Sequence, residues 1–286
     1  MRKLALCMLV LLLSLCSPAF AETLEIAFPS RGVMVPATLT LPDNVPGPSP
    51  IVLMAHGHGG SRDEKHGFGA IADALAKRGV GSIRMDFAGC GESSEDFAAN
   101  CLTSMKQDML SAMDYARTAL DAPAVGLFGY SMGGRVVLEL LAEGFPAHAA
   151  AILAPANDTA DLIETTFEDF DAMYEAAKVS GFYPYWEKEL LSPAWFEDLM
   201  RYDDPASCAA GVYDGPALVI WAQDDQVVRP QVCAHVADVL GAEVFDATGK
   251  GHIYGFWLDE DPLRERIAAA VSGFFERHFP AVQTGY

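Results

Sequence analysis

From about residue 23 onward, apolar and polar positions alternate along the chain. Residues 23–28 and 33–41 alternate on either side of residues 30–32 (SRG), which predicts an antiparallel β-hairpin. A proline- and glycine-rich stretch at 42–50 predicts a loop. The run that follows, residues 50–55 (PIVLMA), is apolar throughout, as is typical of a strand that is buried on both faces.

Beyond this run, short apolar segments alternate with segments of helical spacing. The apolar segments predict strands at 81–87, 125–128, 149–153, 216–222 and 243–247. The segments between them predict helices at 67–78, 103–120, 132–143, 230–240 and 262–278. This alternation predicts an α/β fold, with a mostly parallel central sheet and helices on both faces. In such a sheet, the loops at the carboxyl ends of the strands carry the functional site.

Residues 157–206 interrupt the alternation with a long insertion between two strands. The insertion shows no strand pattern, and a connection of this length is usually functional, so a small helical cap is predicted. Ten aromatic residues lie between Phe167 and Tyr202. Most of them are explained as the core of the cap itself. The remainder are candidates for an aromatic substrate wall, and Tyr183 and Trp186 are predicted to bind substrate.

The first 21 residues have the pattern of a cleaved signal peptide. Arg2 and Lys3 give a basic start, residues 4–15 form a short apolar run, and residues 19–21 (AFA) form a small-x-small cleavage site. The pattern predicts an exported protein, periplasmic or secreted, whose single domain covers residues 22–286 without stable membrane insertion. The stretch 13–16 (LSLC) resembles a lipoprotein box, so a lipid anchor at its cysteine, Cys16, is the alternative.

Acidic residues outnumber basic ones by a wide margin. The chain has 39 acidic and 19 basic side chains, a formal charge of −20. Cleavage after Ala21 would remove Arg2 and Lys3 and bring the charge to −22. Such a surface repels nucleic acid and anionic lipid, so neither is expected as a partner. A neutral or modestly charged small-molecule substrate meets less resistance.

Four cysteines follow the predicted cleavage site: Cys90, Cys101, Cys208 and Cys233. Four cysteines in an exported chain allow three disulfide pairings. Because Cys90 and Cys101 flank one loop, we favour the pairs Cys90–Cys101 and Cys208–Cys233. The sequence contains no Cys-x-x-Cys, which leaves a zinc site of that type unsupported.

The strand that starts at 125 ends in residues 129–133 (GYSMG), and a helical pattern follows at once. A Gly-x-Ser-x-Gly sequence between a strand and a helix is typical of a nucleophile elbow, in which the serine projects from the top of the sheet. Glycine is expected two residues on either side, because the tight turn leaves no room for a Cβ atom. Ser131 is therefore the predicted nucleophile, and the neighbouring Tyr130 is predicted to contact substrate.

A serine hydroxyl needs a base at neutral pH, and His252 is the predicted base. It lies in a glycine-rich loop, residues 249–252 (GKGH), between the last predicted strand and the last predicted helix. The other histidines lie in or beside regular elements, in a polar loop, or in a His-x-His pair: His148, His235, His278, His66, His56 and His58. The pair lacks further ligands nearby, so no metal is predicted there.

An acid must orient the base, and Asp225 is the predicted acid. It lies in the turn after the strand at 216–222, far enough past the strand to reach back. Asp224 is the rival, interpreted as a solvated residue or a turn cap. The chain order Ser131, Asp225, His252 is the order that the elbow motif predicts.

Attack on a carbonyl builds an oxyanion, which N–H donors stabilise. One predicted donor is the backbone amide of Met132, directly after the nucleophile. The second is the amide of His58, in the stretch 56–61 (HGHGGS) that follows the strand at 50–55. His58 is thus expected to act through its backbone, while its side chain lines the pocket.

These motifs resemble those of the α/β-hydrolase superfamily over residues 23–279. The matching stretches are 56–61 (HGHGGS), 86–93 (DFAGCGES), 129–134 (GYSMGG), 225–228 (DQVV) and 251–252 (GH). The short cap and the N-terminal hairpin look like the bacterial feruloyl/cinnamoyl-esterase and serine-aminopeptidase-like branch. The resemblance implies a serine hydrolase that needs no cofactor, with Ser131 as nucleophile, His252 as general base and Asp225 as its orienting acid. Residues 221–222 (WA) depart from the His-Gly that commonly precedes the acid turn.

The predicted function is an exported hydrolase of carboxylic esters, with aromatic or short acyl groups, that works through an acyl-enzyme. A serine peptidase or amidase with the same residues is one alternative, in which cap acids such as Glu187 or Glu189 would bind a substrate amino group. A non-catalytic binding protein that keeps the fold is the other alternative. It predicts that one of the three catalytic residues is missing.

Overall fold

The computed structural model describes residues 21–42, 47–186 and 188–280. The strands within these ranges are β1 (Glu22–Ser30), β2 (Val33–Leu41), β3 (Ile51–Ala55), β4 (Gly81–Met85), β5 (Val125–Tyr130), β6 (Ala150–Leu153), β7 (Tyr183–Trp186), β8 (Glu189–Leu191), β9 (Ala217–Trp221) and β10 (Glu243–Asp246). The helices are α1 (Gly67–Ala76), α2 (Leu102–Thr118), α3 (Met132–Ala142), α4 (Thr159–Thr166), α5 (Phe170–Ser180), α6 (Pro193–Leu199), α7 (Pro205–Ala210), α8 (Pro230–Leu240) and α9 (Pro262–His278).

Eight of these strands form one sheet in the order β1-β2-β4-β3-β5-β6-β9-β10. The first two form an antiparallel hairpin, and β2 pairs antiparallel with β4. The remaining neighbours in this sheet order, β4-β3-β5-β6-β9-β10, all pair in parallel. The predicted α/β class with a mostly parallel sheet is therefore confirmed. The part of the chain outside the insertion 157–206 is here called the sheet domain, and each of its predicted strands and helices begins and ends within two residues of the predicted bounds.

The central strands are buried because helices cover the sheet. Every residue of β3, β4, β5, β6 and β9 is buried, as the continuous apolar runs predict. Helices α1 and α9 pack together, and both reach the same face of β5. The ring of Phe68 in α1 meets Phe128 at a centroid distance of 5.3 Å, and Phe275 in α9 covers Gly126. Positions 126 and 128 share a face because side chains alternate along a strand.

The cap differs from the predicted all-helical insertion. Strands β7 and β8 form a separate antiparallel hairpin between α5 and α6. The sequence pattern missed them because they are only four and three residues long and carry aromatic residues that were interpreted as helical core. The aromatic core of the cap does form: Phe170 and Trp195 both pack edge-on against Phe196, which is fully buried.

The predicted disulfides are absent, since Cys90, Cys101, Cys208 and Cys233 are free thiols. Cys90 is buried and its sulfur accepts a hydrogen bond from the Asn100 amide at 3.7 Å, while Cys101 precedes α2 as its N-cap residue. Cys208 is exposed on α7, whereas Cys233 is buried in α8. Proximity in sequence is a poor guide here because a disulfide also needs the two Cβ atoms to face each other.

The segment predicted to be a signal peptide lies almost wholly outside the described residues, which begin at Ala21. No helix in the described part of the chain is both long enough and apolar enough to cross a membrane.

Candidate active site

Ser131 lies at the junction of β5 and α3, in a strained backbone conformation. Its φ of 54° and ψ of −117° fall outside the regions that residues with a Cβ atom normally occupy. Backbone hydrogen bonds hold it there: its amide donates to Leu153 at 2.9 Å, and its carbonyl accepts from Arg135 and Ala156, both at 3.2 Å. The strand–turn–helix context predicted for the elbow is thus present.

The glycines around Ser131 allow the backbones to approach closely. A Cβ atom on Gly129 would overlap the carbonyl oxygen of Gly133, and one on Gly133 would overlap the carbonyl oxygen of Ala55. The first turn of α3 therefore lies directly against the end of β3. This contact brings the loop that follows β3 next to the nucleophile position.

His252 links Ser131 to Asp225. Its Nε2 lies 3.0 Å from the Ser131 Oγ, and its Nδ1 lies 2.8 Å from the Asp225 Oδ2. Because a carboxylate only accepts, Nδ1 carries the proton and Nε2 is left to accept from the serine hydroxyl. The three residues that the sequence singled out form one continuous chain of hydrogen bonds.

The Asp225 carboxylate is buried but well satisfied. Burial acts to raise its pKa, yet the hydrogen bonds and charge of His252 and the hydroxyl of Tyr254 outweigh it, so the pKa lies below its ordinary value. The Tyr254 hydroxyl donates to Oδ2 at 2.8 Å. The amides of Val227 and Val228 donate to Oδ1 at 2.9 and 3.0 Å. The carboxylate is therefore ionised and fixed in orientation.

Asp224 positions the backbone on which His252 lies. Its carboxylate accepts hydrogen bonds from the amides of Gly249 and Gly251 at 3.0 and 3.2 Å. The two adjacent aspartates thus act on different parts of one loop: Asp225 contacts the imidazole ring, and Asp224 holds the backbone. Asp224 is exposed, as predicted, but it caps the loop rather than its own turn.

The stretch 56–60, here called the oxyanion loop, follows β3. His56 within it is fully buried, and burial lowers its pKa to about 4. Its Nδ1 donates to the Gly57 carbonyl at 2.7 Å, and its Nε2 accepts from the Phe87 amide at 3.2 Å. Both ring nitrogens of this neutral histidine are used to hold the loop. Among the described residues, no group of three or more His, Cys, Asp or Glu side chains is arranged to hold a metal ion.

Glu64 supports the oxyanion loop from the sheet domain. Its carboxylate is buried and accepts a hydrogen bond from the Gly57 amide at 2.7 Å. Burial raises the pKa of Glu64 to about 7, although that hydrogen bond and the charge of Lys65 act in the opposite direction. The sequence signal for this contact is a carboxylate seven residues after Gly57, close enough along the chain to fold back onto the Gly57 amide.

His58 contacts the cap through its side chain. Its Nε2 donates to the Glu189 carboxylate at 3.1 Å. Its backbone amide and that of Met132, the two predicted oxyanion donors, have no hydrogen-bond acceptor among the described residues. Both amides are thus available to a ligand, whereas the imidazole is part of the junction between loop and cap.

Comparison with known proteins identifies the fold. The family model described as the alpha/beta hydrolase fold matches residues 50–190, a span that contains the oxyanion loop and Ser131. Est1E from Butyrivibrio proteoclasticus, solved with ferulic acid bound, superposes with a TM-score of 0.72 over 88% of this chain and 98% of its own, at 20% identity. These matches show the α/β-hydrolase fold and support a hydrolase of the α/β-hydrolase superfamily.

Two curated relatives of this hydrolase extend the comparison. Lipase 3 of Moraxella sp. (strain TA144) is 26% identical over 246 residues, which cover 74% of this chain and 73% of the lipase. YtaP of Bacillus subtilis (strain 168) is 32% identical over 122 residues, which cover 35% of this chain. The match spans only 41% of the length of YtaP.

Tyr130 of the hydrolase packs beneath His252, although it was predicted to contact substrate. It is buried, and its hydroxyl donates to the His252 carbonyl at 2.6 Å. Its ring lies 5.2 Å from the imidazole, centroid to centroid. Its hydroxyl and ring therefore both contact His252 and support its position.

Tyr183 and Trp186, the other predicted substrate contacts, lie on the hairpin of β7 and β8 with different surroundings. Tyr183 is half-buried, whereas Trp186 is 70% exposed. Tyr185 is the aromatic residue of β7 that approaches the oxyanion loop, with its ring 6.1 Å from that of His58. A register shift between Pro184 and Trp186 interrupts the regular alternation of side chains in β7. The rings of Tyr185 and Trp186 stack on each other, with centroids 5.9 Å apart, so Trp186 lies on the side of Tyr185 although most of it is exposed.

Arg135 joins the elbow helix of the hydrolase to both ends of the cap. Its side chain is fully buried in α3 and forms an ion pair with Glu139 at 3.0 Å. At the start of the cap the guanidinium donates to the carbonyl of Ala156 at 3.2 Å. At its end the guanidinium donates to the carbonyls of Leu199 and Tyr202 at 2.9 and 2.7 Å. An arginine at an apolar position of a helix was the sequence signal for this contact.

A cavity of about 350 Å³ lies away from this site, along α1, the segment that precedes α9 and the first turn of α9. Its lining is mostly charged and includes Lys65, Lys77, Asp73 and Arg264. Neither Ser131 nor His252 borders it. The chemistry of the hydrolase is therefore assigned from the hydrogen-bonded residues and not from this cavity.

Proposed function

We propose that this hydrolase is a serine carboxylesterase that works through an acyl-enzyme. The observation that carries the proposal is the continuous hydrogen-bond chain from the Ser131 hydroxyl through His252 to the buried Asp225 carboxylate. This arrangement converts a weak hydroxyl nucleophile into a strong one. It requires no cofactor.

In the first half of the reaction, the Ser131 Oγ attacks the ester carbonyl carbon while its proton passes to Nε2 of His252. The amides of Met132 and His58 receive the oxyanion of the tetrahedral intermediate, and loss of such a donor costs roughly 3–4 kcal/mol. Collapse breaks the bond to the alcohol oxygen, which takes the proton from His252. The acyl group remains on Ser131.

In the second half, water replaces the alcohol. His252 removes a proton from the water, whose oxygen attacks the acyl carbonyl, and the second tetrahedral intermediate expels Ser131. The serine oxygen recovers its proton from His252 as the carboxylic acid leaves. Throughout, the ionised Asp225 carboxylate stabilises the imidazolium and keeps the proton on Nδ1.

We propose aromatic or short acyl esters as the substrate class. The aromatic residues of the cap adjoin the oxyanion loop at Tyr185 and Trp195, and an apolar wall of this kind suits aromatic groups. Est1E, which shares the fold, was solved with ferulic acid bound. The formal charge of −20 favours neutral esters over polyanions.

The esterase proposal is favoured over a peptidase by the surroundings of Glu189. This carboxylate is already paired with His58, so it is not free to bind the amino group of a substrate. Glu187, the other acid considered for that purpose, lies outside the described residues. A non-catalytic binding protein would lack part of the hydrogen-bond chain, and here no member is missing.

We also propose that the protein acts in the periplasm or outside the cell, because residues 1–21 have the signal-peptide pattern. Mass spectrometry of the protein recovered from an expressing bacterium checks this. A mature chain that begins at Glu22 is expected, and an N-terminal lipid on Cys16 would contradict it.

The test of the activity compares wild type with Ser131→Ala. Wild type is expected to hydrolyse p-nitrophenyl acetate and a methyl hydroxycinnamate, and a fluorophosphonate probe is expected to label Ser131. Ser131→Ala should lose both activity and label with its thermal midpoint nearly unchanged. The matched control is Ser180→Ala in the cap, which should retain both. Turnover of aminoacyl anilides without turnover of esters would contradict the proposal in favour of a peptidase.

A further inference from the structure

Two adjacent glycines of the oxyanion loop each face a carboxylate. A Cβ atom on Gly60 would overlap the carboxylate of Glu64, and one on Gly59 would overlap the carboxylate of Glu189. Gly59 also has a φ of 62°, a backbone conformation that favours glycine. The loop is therefore held between two acids, one from the sheet domain and one from the cap.

The cap acid, Glu189, is hydrogen-bonded to His58, whose backbone amide is a predicted oxyanion donor. Glu189 is the first residue of β8, and its Oε2 accepts from Nε2 of His58 at 3.1 Å. Only 17% of the Glu189 side chain and 22% of the His58 side chain are exposed. A partly buried, charge-assisted hydrogen bond is stronger than an exposed one and fixes geometry as well.

The His58 ring is also enclosed, which limits its freedom to move. Phe97 and Trp195 meet it edge-on, with centroid distances of 5.3 and 5.7 Å. The strand that carries Glu189 is anchored too, because Leu191 at its end is fully buried. A shift of the cap hairpin is therefore expected to move His58 as well, because a hydrogen bond between partly buried side chains joins the two.

We propose that Glu189 is a positioning residue for the oxyanion loop, so that the cap completes the site which stabilises the transition state. This inference rests on the proposed esterase function. Glu189 acts through the His58 side chain on the His58 amide and does not touch the reacting atoms. The cap thereby contributes to turnover even for a substrate too small to reach its aromatic wall.

The decisive measurement uses p-nitrophenyl acetate, because its acetyl group is small. Glu189→Gln, which keeps the shape of the side chain, and Glu189→Ala should lower kcat with KM little changed. We expect a loss of roughly tenfold for Glu189→Ala, smaller than the hundredfold or more that accompanies loss of an oxyanion donor itself. Glu189→Gln should recover part of that loss. Glu197→Gln, at an exposed acid of the same cap, is the matched control and should behave like wild type.

A double-mutant cycle tests the path through His58. His58→Phe keeps the backbone amide and the aromatic packing but removes Nε2. If Glu189 acts through His58, kcat of the double variant Glu189→Ala/His58→Phe should match that of the more affected single variant. Thermal midpoints measured for all variants show whether a variant has lost its fold. Glu189→Gln changes the shape of the side chain least, so we expect it to remain folded even if Glu189→Ala does not.

Two results would overturn the inference. Losses in kcat that multiply in the double variant would mean that Glu189 does not act through His58. An unchanged kcat on acetate, with a raised KM on bulky aromatic esters, would make Glu189 a substrate contact. Failure of the esterase proposal is distinguishable from both, because wild type would then be inactive towards esters and unlabelled at Ser131.

Discussion

On the base side of Ser131, the groups that position His252 belong to the sheet domain: Asp224, Asp225, Tyr130 and Tyr254. On the oxyanion side, the loop is held by Glu64 of the sheet domain and by Glu189 of the cap. Among these contacts, the position of His252 depends on the sheet domain alone, whereas the position of the predicted oxyanion donor at His58 also depends on the cap. A change in the cap should therefore alter the two halves of the site unequally.

The largest effect is expected from the base side. Asp225→Asn removes the charge that stabilises the imidazolium and favours the wrong tautomer, so kcat should fall by about four orders of magnitude. Asp224→Asn leaves the imidazole contact intact and weakens only the backbone support, so a loss of roughly tenfold or less is expected. Steady-state kinetics on p-nitrophenyl acetate ranks the two variants. If Asp224→Asn proves the more damaging, Asp225 is not the acid.

A moderate effect is expected when Tyr130 loses its hydroxyl. Tyr130→Phe removes the hydrogen bond to the His252 carbonyl, and a bond of this kind is worth about 1 kcal/mol. kcat/KM should therefore fall about fivefold, and equally for acetate and hydroxycinnamate esters, because the cap is not involved. Tyr174→Phe in the cap, where the hydroxyl binds the exposed Glu197, is the control. A loss confined to bulky esters would instead restore Tyr130 as a substrate contact.

Glu64→Gln is expected to have the smallest effect on activity. Its main effect should be on the way the free energy of unfolding depends on pH. Burial raises the pKa of Glu64 to about 7 in the folded protein, so the folded state binds this proton more tightly than the unfolded state does. The stabilisation is fully present below the ordinary pKa of a glutamate and is lost as the pH rises through about 7.

Glutamine does not titrate, so Glu64→Gln should lack this loss. Denaturant unfolding of both proteins at pH 5 and pH 8 measures it. The free energy of unfolding of the variant, relative to wild type, should rise by up to roughly 3 kcal/mol between the two pH values. A difference that stays constant with pH would show that Glu64 does not titrate in this range.

The residues that could be predicted from sequence are those whose signal is local. Ser131 lies in a glycine pattern that reflects backbone contacts within a few residues and with the neighbouring strand. Asp225 and His252 follow strand ends, which meet at one edge of a parallel sheet. Alternation of strands and helices likewise gives the sheet itself, because continuous apolar runs report burial on both faces.

The residues that could not be predicted depend on contacts between distant segments. Glu189 and His58 are 131 positions apart in the chain, and neither stretch of sequence contains a pattern that indicates contact with the other. The proposed disulfides failed for a related reason, since the direction of a Cβ atom is set by tertiary packing. The contact of Tyr185 with the His58 ring also joins distant segments, and a strand of only four residues with a register shift gives no clear pattern in the sequence.

The buried guanidinium of Arg135 has a consequence for changes in the cap. It binds main-chain carbonyls at the start and end of the cap, and main-chain carbonyls are present whatever the side chains are. The spacing of the two attachment points is therefore independent of the sequence between them. A change of side chains between residues 160 and 198 is therefore expected to leave these two attachments in place. A changed segment would still have to supply a partner for Nε2 of His58, which Glu189 provides here.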